Sequence, residues 1–168
     1  MLRFLALATS ILILAAGLAA QNSSTRYSEY SSAPVRLDSV ERTAFRLLNR
    51  MRIENGLTAL AWNDRVAEIA RLHSRNMAEL KFFAHRGKDR KMVSDRADDA
   101  NLGGWESIGE NIAFNRGYGD PIARAVENWL SSPSHRQNLL SSNWKESAVG
   151  VAVSSDGSYY FTQVFIKR

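Results

Sequence analysis

The hydrophobic pattern of this chain changes its period along the sequence, and this change limits the folds that the chain can adopt. In residues 37–80 and again in residues 120–140, apolar residues recur at intervals of three and four, which is the spacing of amphipathic helices. From residue 148 they alternate instead, in "AVGVAV" and again in "YYFTQVF", around a turn at Asp156 and Gly157 that is typical of an antiparallel hairpin. Helices followed by strands predict an α+β domain in which helices cover a small antiparallel sheet.

The first two helices are predicted from their ends and their apolar stripes. Asp38 precedes the first stripe, with Glu41 three residues later as in a capping box, and Gly56 ends the helix. The second helix is predicted over residues 63–80, and His73 lies within its apolar stripe. An imidazole in such a stripe is more often a core residue than a ligand, so we assign His73 a structural role.

A cap followed by proline marks the beginning of two further helices. Asp120 and Pro121 form this signal for the third helix, and Ser132 and Pro133 repeat it for a short fourth one. Between the second and third helices, residues 81–108 have no clear period and predict a long polar loop. A compact domain seldom keeps a loop of this length without a use for it.

The N-terminal segment has the composition of an export signal followed by a linker. Residues 1–20 carry Arg3 and then an uncharged run that closes on small residues, so we predict a signal peptide cleaved near Ala19–Gln21. An uncleaved membrane anchor is the alternative, because the run could just span a bilayer. Residues 21–36 are rich in serine and poor in aliphatic residues, which predicts a linker, and the folded domain is assigned to residues 37–168.

The chain has no cysteine, and this limits both its chemistry and its location. A disulfide framework, a thiol nucleophile and a lipoprotein anchor are excluded. An exported domain without disulfides must be held by its core, which fits bacterial export, so we expect a secreted, periplasmic or envelope location. The formal net charge is +5, with basic residues scattered among acids, which favours a solvated surface and leaves peripheral envelope association open. No nucleic-acid partner is expected, because no nucleic-acid-binding module is recognised.

Three polar residues are candidates for a functional site, and each has a plainer alternative. His85 ends "KFFAHRG", where the phenylalanines can anchor the chain while the ring projects, but it could equally be an ordinary loop histidine. Glu110 lies among small and apolar residues and must point to solvent or meet a cation or a donor, while its neighbour Asn111 could simply cap a helix. His135 lies in the first turn of the fourth predicted helix, where the dipole favours the neutral ring, and plain surface exposure is its alternative.

Other sites are rejected because of position or a missing motif. Glu127 lies about 130° from the centre of the third helix's apolar face, so it is expected in solvent. A Ser132 or Ser134 nucleophile with His135 as its base is rejected, because residues so close along one helical turn rarely present the required geometry. The sequence contains no HExxH, no GxSxG and no phosphate-binding glycine loop.

Four blocks of the sequence together resemble a known family. In order they are "FFAH", "GENIA", "WLSSPSHRQNLL" and the closing "AVGVAV" with "YYFTQVF". They resemble the CAP superfamily, or SCP domain, of cysteine-rich secretory, antigen 5 and pathogenesis-related 1 proteins, in its cysteine-free bacterial branch. The resemblance covers about Leu37 to Arg168 and implies an α-β-α sandwich with a small antiparallel sheet. It also implies a surface cleft in which two histidines and two glutamates converge.

The resemblance also assigns the residues of that cleft. The two histidines fall on His85 and His135 and one glutamate falls on Glu110, whereas the position of the other glutamate holds Ser132. His85, Glu110 and His135 are therefore the expected ligands of a divalent cation, with zinc as the preferred ion. Ser132 joins them as a ligand-binding residue, and no residue is assigned a catalytic role.

Members of the family are reported to bind divalent metals, sterols or other lipids, and glycans, and some are reported as proteases. We expect a secreted binding module whose cleft takes a divalent cation and a small-molecule, lipid or cell-wall glycan ligand. A metal-dependent hydrolase acting on peptide or ester substrates is the first alternative, disfavoured because Ser132 removes one candidate general base. A structural envelope protein without a functional cleft is the second alternative. The sequence predicts no oligomeric state.

Overall fold

The computed structural model describes residues 36–168, so the predicted signal peptide and all but the last residue of the predicted linker lie outside the described residues. Within this range the chain forms five helices and four strands. The helices are α1 (Leu37–Glu54), α2 (Asp64–Glu79), α3 (Val93–Asp99), α4 (Pro121–Ser131) and α5 (Pro133–Leu139). The strands are β1 (Ala61–Trp62), β2 (Ser107–Asn115), β3 (Glu146–Val153) and β4 (Tyr159–Lys167).

The four strands form one mixed sheet in the order β1-β3-β4-β2. Strands β3 and β4 are the predicted hairpin, and β2 pairs antiparallel with the other side of β4. The two-residue strand β1 runs parallel to the start of β3. The outer edge of β2 pairs with no other strand among the described residues, and the candidate site lies along this edge.

Helices cover both faces of the sheet, which makes the fold a three-layer α-β-α sandwich as the resemblance implies. On one face, α1, α4 and α5 pack against Val149, Val151, Phe161 and Phe165, and Trp129 of α4 is fully buried there. On the other face, α2 and α3 pack against alternate residues of the same strands, namely Ala148, Val164 and Ile166. Because both faces are covered, β3 and β4 are buried almost throughout.

Helix α2 approaches the sheet most closely at Gly150. A Cβ atom at this position would lie 2.1 Å from the backbone nitrogen of Arg71 and 2.3 Å from the carbonyl carbon of Ala70. The hydroxyl of Ser74 donates to the carbonyl of Gly150 at 3.0 Å, and its oxygen lies 2.8 Å from the hydroxyl oxygen of Thr162. A glycine is required here because the two backbones are in contact.

The beginning of α1 differs from the predicted capping box. The N-cap position is Arg36, and Asp38 lies exposed in the first turn, where it pairs with the Arg36 guanidinium. Glu41 is 1% exposed and accepts hydrogen bonds from the Arg71 side chain and, at 3.1 Å, from the backbone nitrogen of Val151. The prediction was wrong because Glu41 shares the buried face of α1 with Ala44 and other inward residues, so its carboxylate reaches the sheet instead of the helix terminus.

The predicted polar loop over residues 81–108 contains a helix and the beginning of a strand. Helix α3 is only seven residues long and buries Val93, Arg96 and Ala97, so tertiary packing stabilises it where periodicity gives little signal. Asp120 caps α4 as predicted, since its carboxylate accepts from the backbone nitrogens of the second and third helical residues. Ser132 occupies the N-cap position of α5, but its side chain makes no capping hydrogen bond.

Candidate functional site

Glu110 is a buried carboxylate on β2 whose two oxygens are both engaged. Its side chain is 3% exposed and faces the layer of α2 and α3. Oxygen Oε1 lies 2.8 Å from Nδ1 of His85, and Oε2 accepts a hydrogen bond of 2.5 Å from Nη2 of Arg96. Glu110 therefore meets both a donor and a cation, the second of the two environments expected from the sequence.

Arg96 belongs to this site, and the sequence analysis missed it. Its side chain is 4% exposed, and Nη1 donates to the carbonyls of His85 at 3.2 Å and Lys91 at 3.0 Å. The guanidinium thus holds the Glu110 carboxylate and the backbone of the loop that carries His85. Nothing in the surrounding "SDRADD" singles out this arginine, because its burial depends on α3 packing against α2.

His135 approaches from the opposite helical layer, on α5. Its carbonyl accepts a hydrogen bond of 2.9 Å from the Asn111 side chain of β2. Asn138 of α5 donates to the Asn111 side-chain oxygen at 3.1 Å and to the Glu110 carbonyl at 3.3 Å. Asn111 is therefore a bridge between β2 and α5, not a helix cap. The rings of His85 and His135 face each other with centroids 6.0 Å apart and planes inclined by 54°.

The environment of His135 favours the uncharged ring, and the contact between His85 and Glu110 determines which nitrogen of a neutral His85 carries the proton. The pKa of His135 is lowered by burial and, to a smaller extent, by the nearby His85. A lowered pKa agrees with the neutral ring predicted for His135, although its main cause is burial and not the helix dipole. A carboxylate can only accept, so the contact with Glu110 assigns the proton of a neutral His85 to Nδ1 and leaves the lone pair on Nε2.

The remaining candidates lie apart from this pair. Ser132 is half-buried, and its hydroxyl oxygen lies 3.4 Å from that of Ser134; within the described residues it makes no hydrogen bond to the two histidines or to Glu110. Glu127 is exposed and pairs with Arg124, as expected. His73 is buried, as predicted for a structural residue, and its Nε2 lies 3.0 Å from the carbonyl of Ala84.

The side chains at this site differ from the expected three-ligand cation site. Within residues 36–168, no group of three or more histidine, aspartate and glutamate side chains is arranged to hold a metal ion. Glu110 does not fit the role of a ligand, because Arg96 and His85 engage its two oxygens. The two facing imidazoles do fit as nitrogen donors, and a carboxylate bonded to the far nitrogen of a histidine is the usual support for a metal-binding ring.

The fold is a three-layer α-β-α domain, and two histidines and a buried glutamate lie at one edge of its sheet. These features define the class of protein that the sequence resemblance implies. Residues 45–165 match the CAP family, described as the cysteine-rich secretory protein family. The chain belongs to this family.

Several relatives are bacterial. The chain is 41% identical over 128 residues to the Bacillus subtilis protein named uncharacterized membrane protein YlbC, covering 76% of this chain and 34% of that protein. It is 30% identical to an extracellular SCP-domain protein of Bacillus anthracis, with a TM-score of 0.66 over 82% of this chain and 45% of the other. An outer surface protein of Borrelia burgdorferi has the same fold, with 18% identity and a TM-score of 0.69 over 80% of this chain and 96% of the other.

The chain spans about a third to a half of the length of the curated relatives that it matches. The solved relatives named above are extracellular or outer-surface proteins, whereas YlbC is named a membrane protein. Among residues 36–168, no helix is both long and apolar enough to cross a bilayer.

Proposed function

We propose that this CAP domain is an exported binding module, and that its cleft between His85 and His135 takes an extracellular ligand together with a divalent cation. The observation that carries the proposal is the pair of imidazoles facing each other across the edge of β2, 6.0 Å between centroids. His85 is held by the α2 and α3 layer and His135 by α5 in the opposite layer, so the gap between the rings forms only when both layers are packed on the sheet.

The network behind His85 supports a binding role. A buried ion pair between Glu110 and Arg96 is costly to desolvate, and it is maintained here directly behind a half-exposed histidine. A carboxylate fixed in this way orients the ring and directs its free nitrogen outward. A ligand-binding nitrogen needs such rigid support, whereas an ordinary loop histidine does not need it.

The proposed cation is zinc, held by the ring nitrogens of His85 and His135, with Glu110 as the residue that orients His85. Imidazole is a preferred zinc ligand, and two protein ligands leave coordination positions open for the oxygen atoms of a ligand. The ligands that we consider are those that an exported protein would meet, namely lipid, glycan or other cell-wall material.

Titration of the protein with zinc in a calorimeter tests the cation site. We expect heat from a single site in the wild type and no such heat in His85→Ala or His135→Ala. Glu110→Gln should weaken zinc binding by about 10-fold or more, because it removes the carboxylate that orients His85. Glu127→Gln, which changes an exposed carboxylate outside the site, is the matched control and should bind as the wild type does.

Equal zinc binding by the wild type and both alanine variants would contradict the cation site. The ligand is tested separately by thermal shift, with and without zinc, against fatty acids, sterols and muropeptides. A stabilised transition that is lost in His135→Ala supports the binding module. Absence of any stabilisation supports the structural envelope protein instead.

A further inference from the structure

Two exposed phenylalanines and the buried Tyr160 form a row of aromatic side chains near the loop that carries His85. Phe83 is 50% exposed and Phe114 is 41% exposed, although large aromatic side chains are usually buried. The ring centroids of Phe83 and Phe114 are 6.1 Å apart, and those of Phe114 and Tyr160 are 5.0 Å apart. The row lines a cavity of about 410 Å³. The other residues of its wall are Ala78, Lys81, Phe82, Ser154, Ser155 and Asp156.

A second cavity adjoins the first, because the two share part of their walls. The second cavity, of about 440 Å³, shares Phe114 and Asp156 with the first. It adds the half-exposed Tyr118, whose ring has the guanidinium of Arg124 at 4.9 Å from its centroid. We call the two cavities together the aromatic groove. Two adjoining cavities, each lined by aromatic rings, suit a chain of several units better than a single small molecule.

The aromatic groove is next to the histidine site but uses different side chains. Phe83 precedes His85 by two residues in the loop after α2. Phe114 lies four residues after Glu110 on the same face of β2, since successive side chains of a strand alternate between faces. The groove therefore lies further along β2 than the histidine site, beside the turn between β3 and β4.

The chemistry of the groove wall limits its occupant. Serine hydroxyls, Asp156 and Arg116 lie among the aromatic rings, so the wall offers hydrogen-bonding groups as well as apolar rings, and an aliphatic chain would use only the rings. A sugar ring has an apolar face for an aromatic ring and a rim of hydroxyls for such polar groups. An oligosaccharide therefore satisfies both parts of the wall.

The charges of the groove favour an acidic sugar. Arg116 is paired with Asp156, and Arg124 is paired with Glu127, each at 2.9 Å. Lys81 also lines the groove, and it has no ion-pair partner within residues 36–168. Once the two pairs are accounted for, one positive charge is left to attract a negatively charged ligand.

We propose that the aromatic groove binds an acidic oligosaccharide. The site lies outside the cation-dependent cleft of the proposed function and does not depend on it, and the ligand is one defined kind of the glycans considered there. Sugar rings stack on Phe83 and Phe114, and the hydroxyls bond to the serines and Asp156 of the groove wall. A carboxylate on the sugar pairs with Lys81.

Two hexasaccharides of the same length test this proposal. A galacturonic acid hexamer carries the carboxylates, and a galactose hexamer lacks them. We expect the wild type to bind the acidic hexamer more tightly than the neutral one in calorimetry, with a difference that falls as salt is added. Phe83→Ala and Phe114→Ala should each weaken binding by about 10-fold, because each removes a stacking surface. Ile53→Ala removes an exposed apolar side chain of α1 and should change nothing.

The charge is tested by Lys81→Gln, which should abolish the preference for the acidic hexamer, with Arg50→Gln on the exposed face of α1 as its control. Zinc titration of the phenylalanine variants distinguishes the two sites, since their zinc affinity should be unchanged and His85→Ala should still bind the sugar. Circular dichroism and melting curves establish that each variant is folded. The proposal is overturned if neither hexamer binds, if binding is unaffected in both phenylalanine variants, or if only phosphatidylglycerol vesicles bind through these phenylalanines.

Discussion

Glu41 is held by contacts that reach across one edge of the sheet. It lies on α1, and it accepts from Arg71 of α2 in the other helical layer and from the backbone nitrogen of Val151 in β3. Three donors thus compensate for the removal of one carboxylate from water. The residue therefore contributes to the association of both layers with the sheet, in addition to its place in α1.

Replacement of Glu41 by alanine should destabilise the domain strongly. The change leaves the Arg71 guanidinium and the Val151 nitrogen without their acceptor. Breaking a fully buried ion pair costs about 3–5 kcal/mol, and because the Arg71 side chain is 33% exposed we expect a loss near the lower end of this range. Urea unfolding of wild type and variant measures the loss of free energy. Asp38→Ala, at the exposed position that the sequence favoured as the cap, is the control and should leave the midpoint unchanged. A larger loss for Asp38→Ala than for Glu41→Ala would restore the capping-box interpretation.

His73 should make the stability of the domain depend on pH. Burial is the main reason why its pKa is lowered from 6.5, with smaller effects from Arg96 and His85 in the same direction, opposed by Glu110 and the hydrogen bond to Ala84. The unfolded chain therefore takes up the proton more readily than the folded one. The contribution of neutral His73 is complete above the unfolded pKa and is lost as the pH falls towards the lower folded value.

Urea unfolding at several values between about pH 5 and pH 7 tests this effect of protonation. Wild-type stability should fall with decreasing pH by up to about 1.4 kcal/mol per unit from this group. His73→Gln keeps a donor for Ala84 but does not titrate, so its slope should be smaller. A residual slope is expected from His135, whose pKa is also lowered. Identical slopes in wild type and variant would exclude His73 as the titrating group.

At the scale of residues, the site was partly predictable. Motif resemblance placed His85, Glu110 and His135 in one cleft, and the structure brings the two rings together with Glu110 bonded to one of them. Arg96 could not be found, because an arginine in a polar stretch has the same local pattern whether it is buried or exposed. Ser132 was placed by its position in a motif, and a motif position does not specify which neighbour a hydroxyl contacts.

At the scale of elements, both long edges of the sheet are covered by side chains. On β3, the Val151 nitrogen donates to Glu41, and on β2, the carbonyl of Ile112 accepts from the indole nitrogen of Trp129 at 2.8 Å. Asn138 covers the Glu110 carbonyl in the same way. Exposed strand edges can pair with other chains, so these contacts protect the sheet against edge-to-edge association.

Gly150→Ala should be the most damaging small substitution in the sheet. The added methyl group would meet the backbone of α2 at about 2 Å, and neither backbone can move without disturbing the core, so we expect a loss of about 3 kcal/mol. Thermal and urea unfolding measure this loss. Gly119→Ala, where a Cβ meets nothing within 4 Å, is the matched control and should stay close to wild type. Equal stability of the two variants would mean that α2 can move away from the sheet at little cost.

The elements that the sequence revealed are those with a repeated signal. Helix α2 and the β3–β4 hairpin have long, regular patterns, and Asp120 with Pro121 marks the beginning of α4 through local chemistry. Helix α3 has seven residues, too few for a period to be recognised. The parallel pairing of β1 covers only two residues and depends on contacts distant in sequence, which no local pattern contains.

At the scale of the whole molecule, the sheet separates two helical layers, and each layer supplies one of the two facing histidines. His85 follows α2 on one side, and His135 lies in α5 on the other. A molecule that binds both rings would therefore lose its contact with at least one of them when the layers part. Its presence would slow the rate of unfolding more than it changes the rate of folding, if the layers close only late in folding. If the domain is exported, as we propose, occupancy of this gap would then set how long each copy lasts.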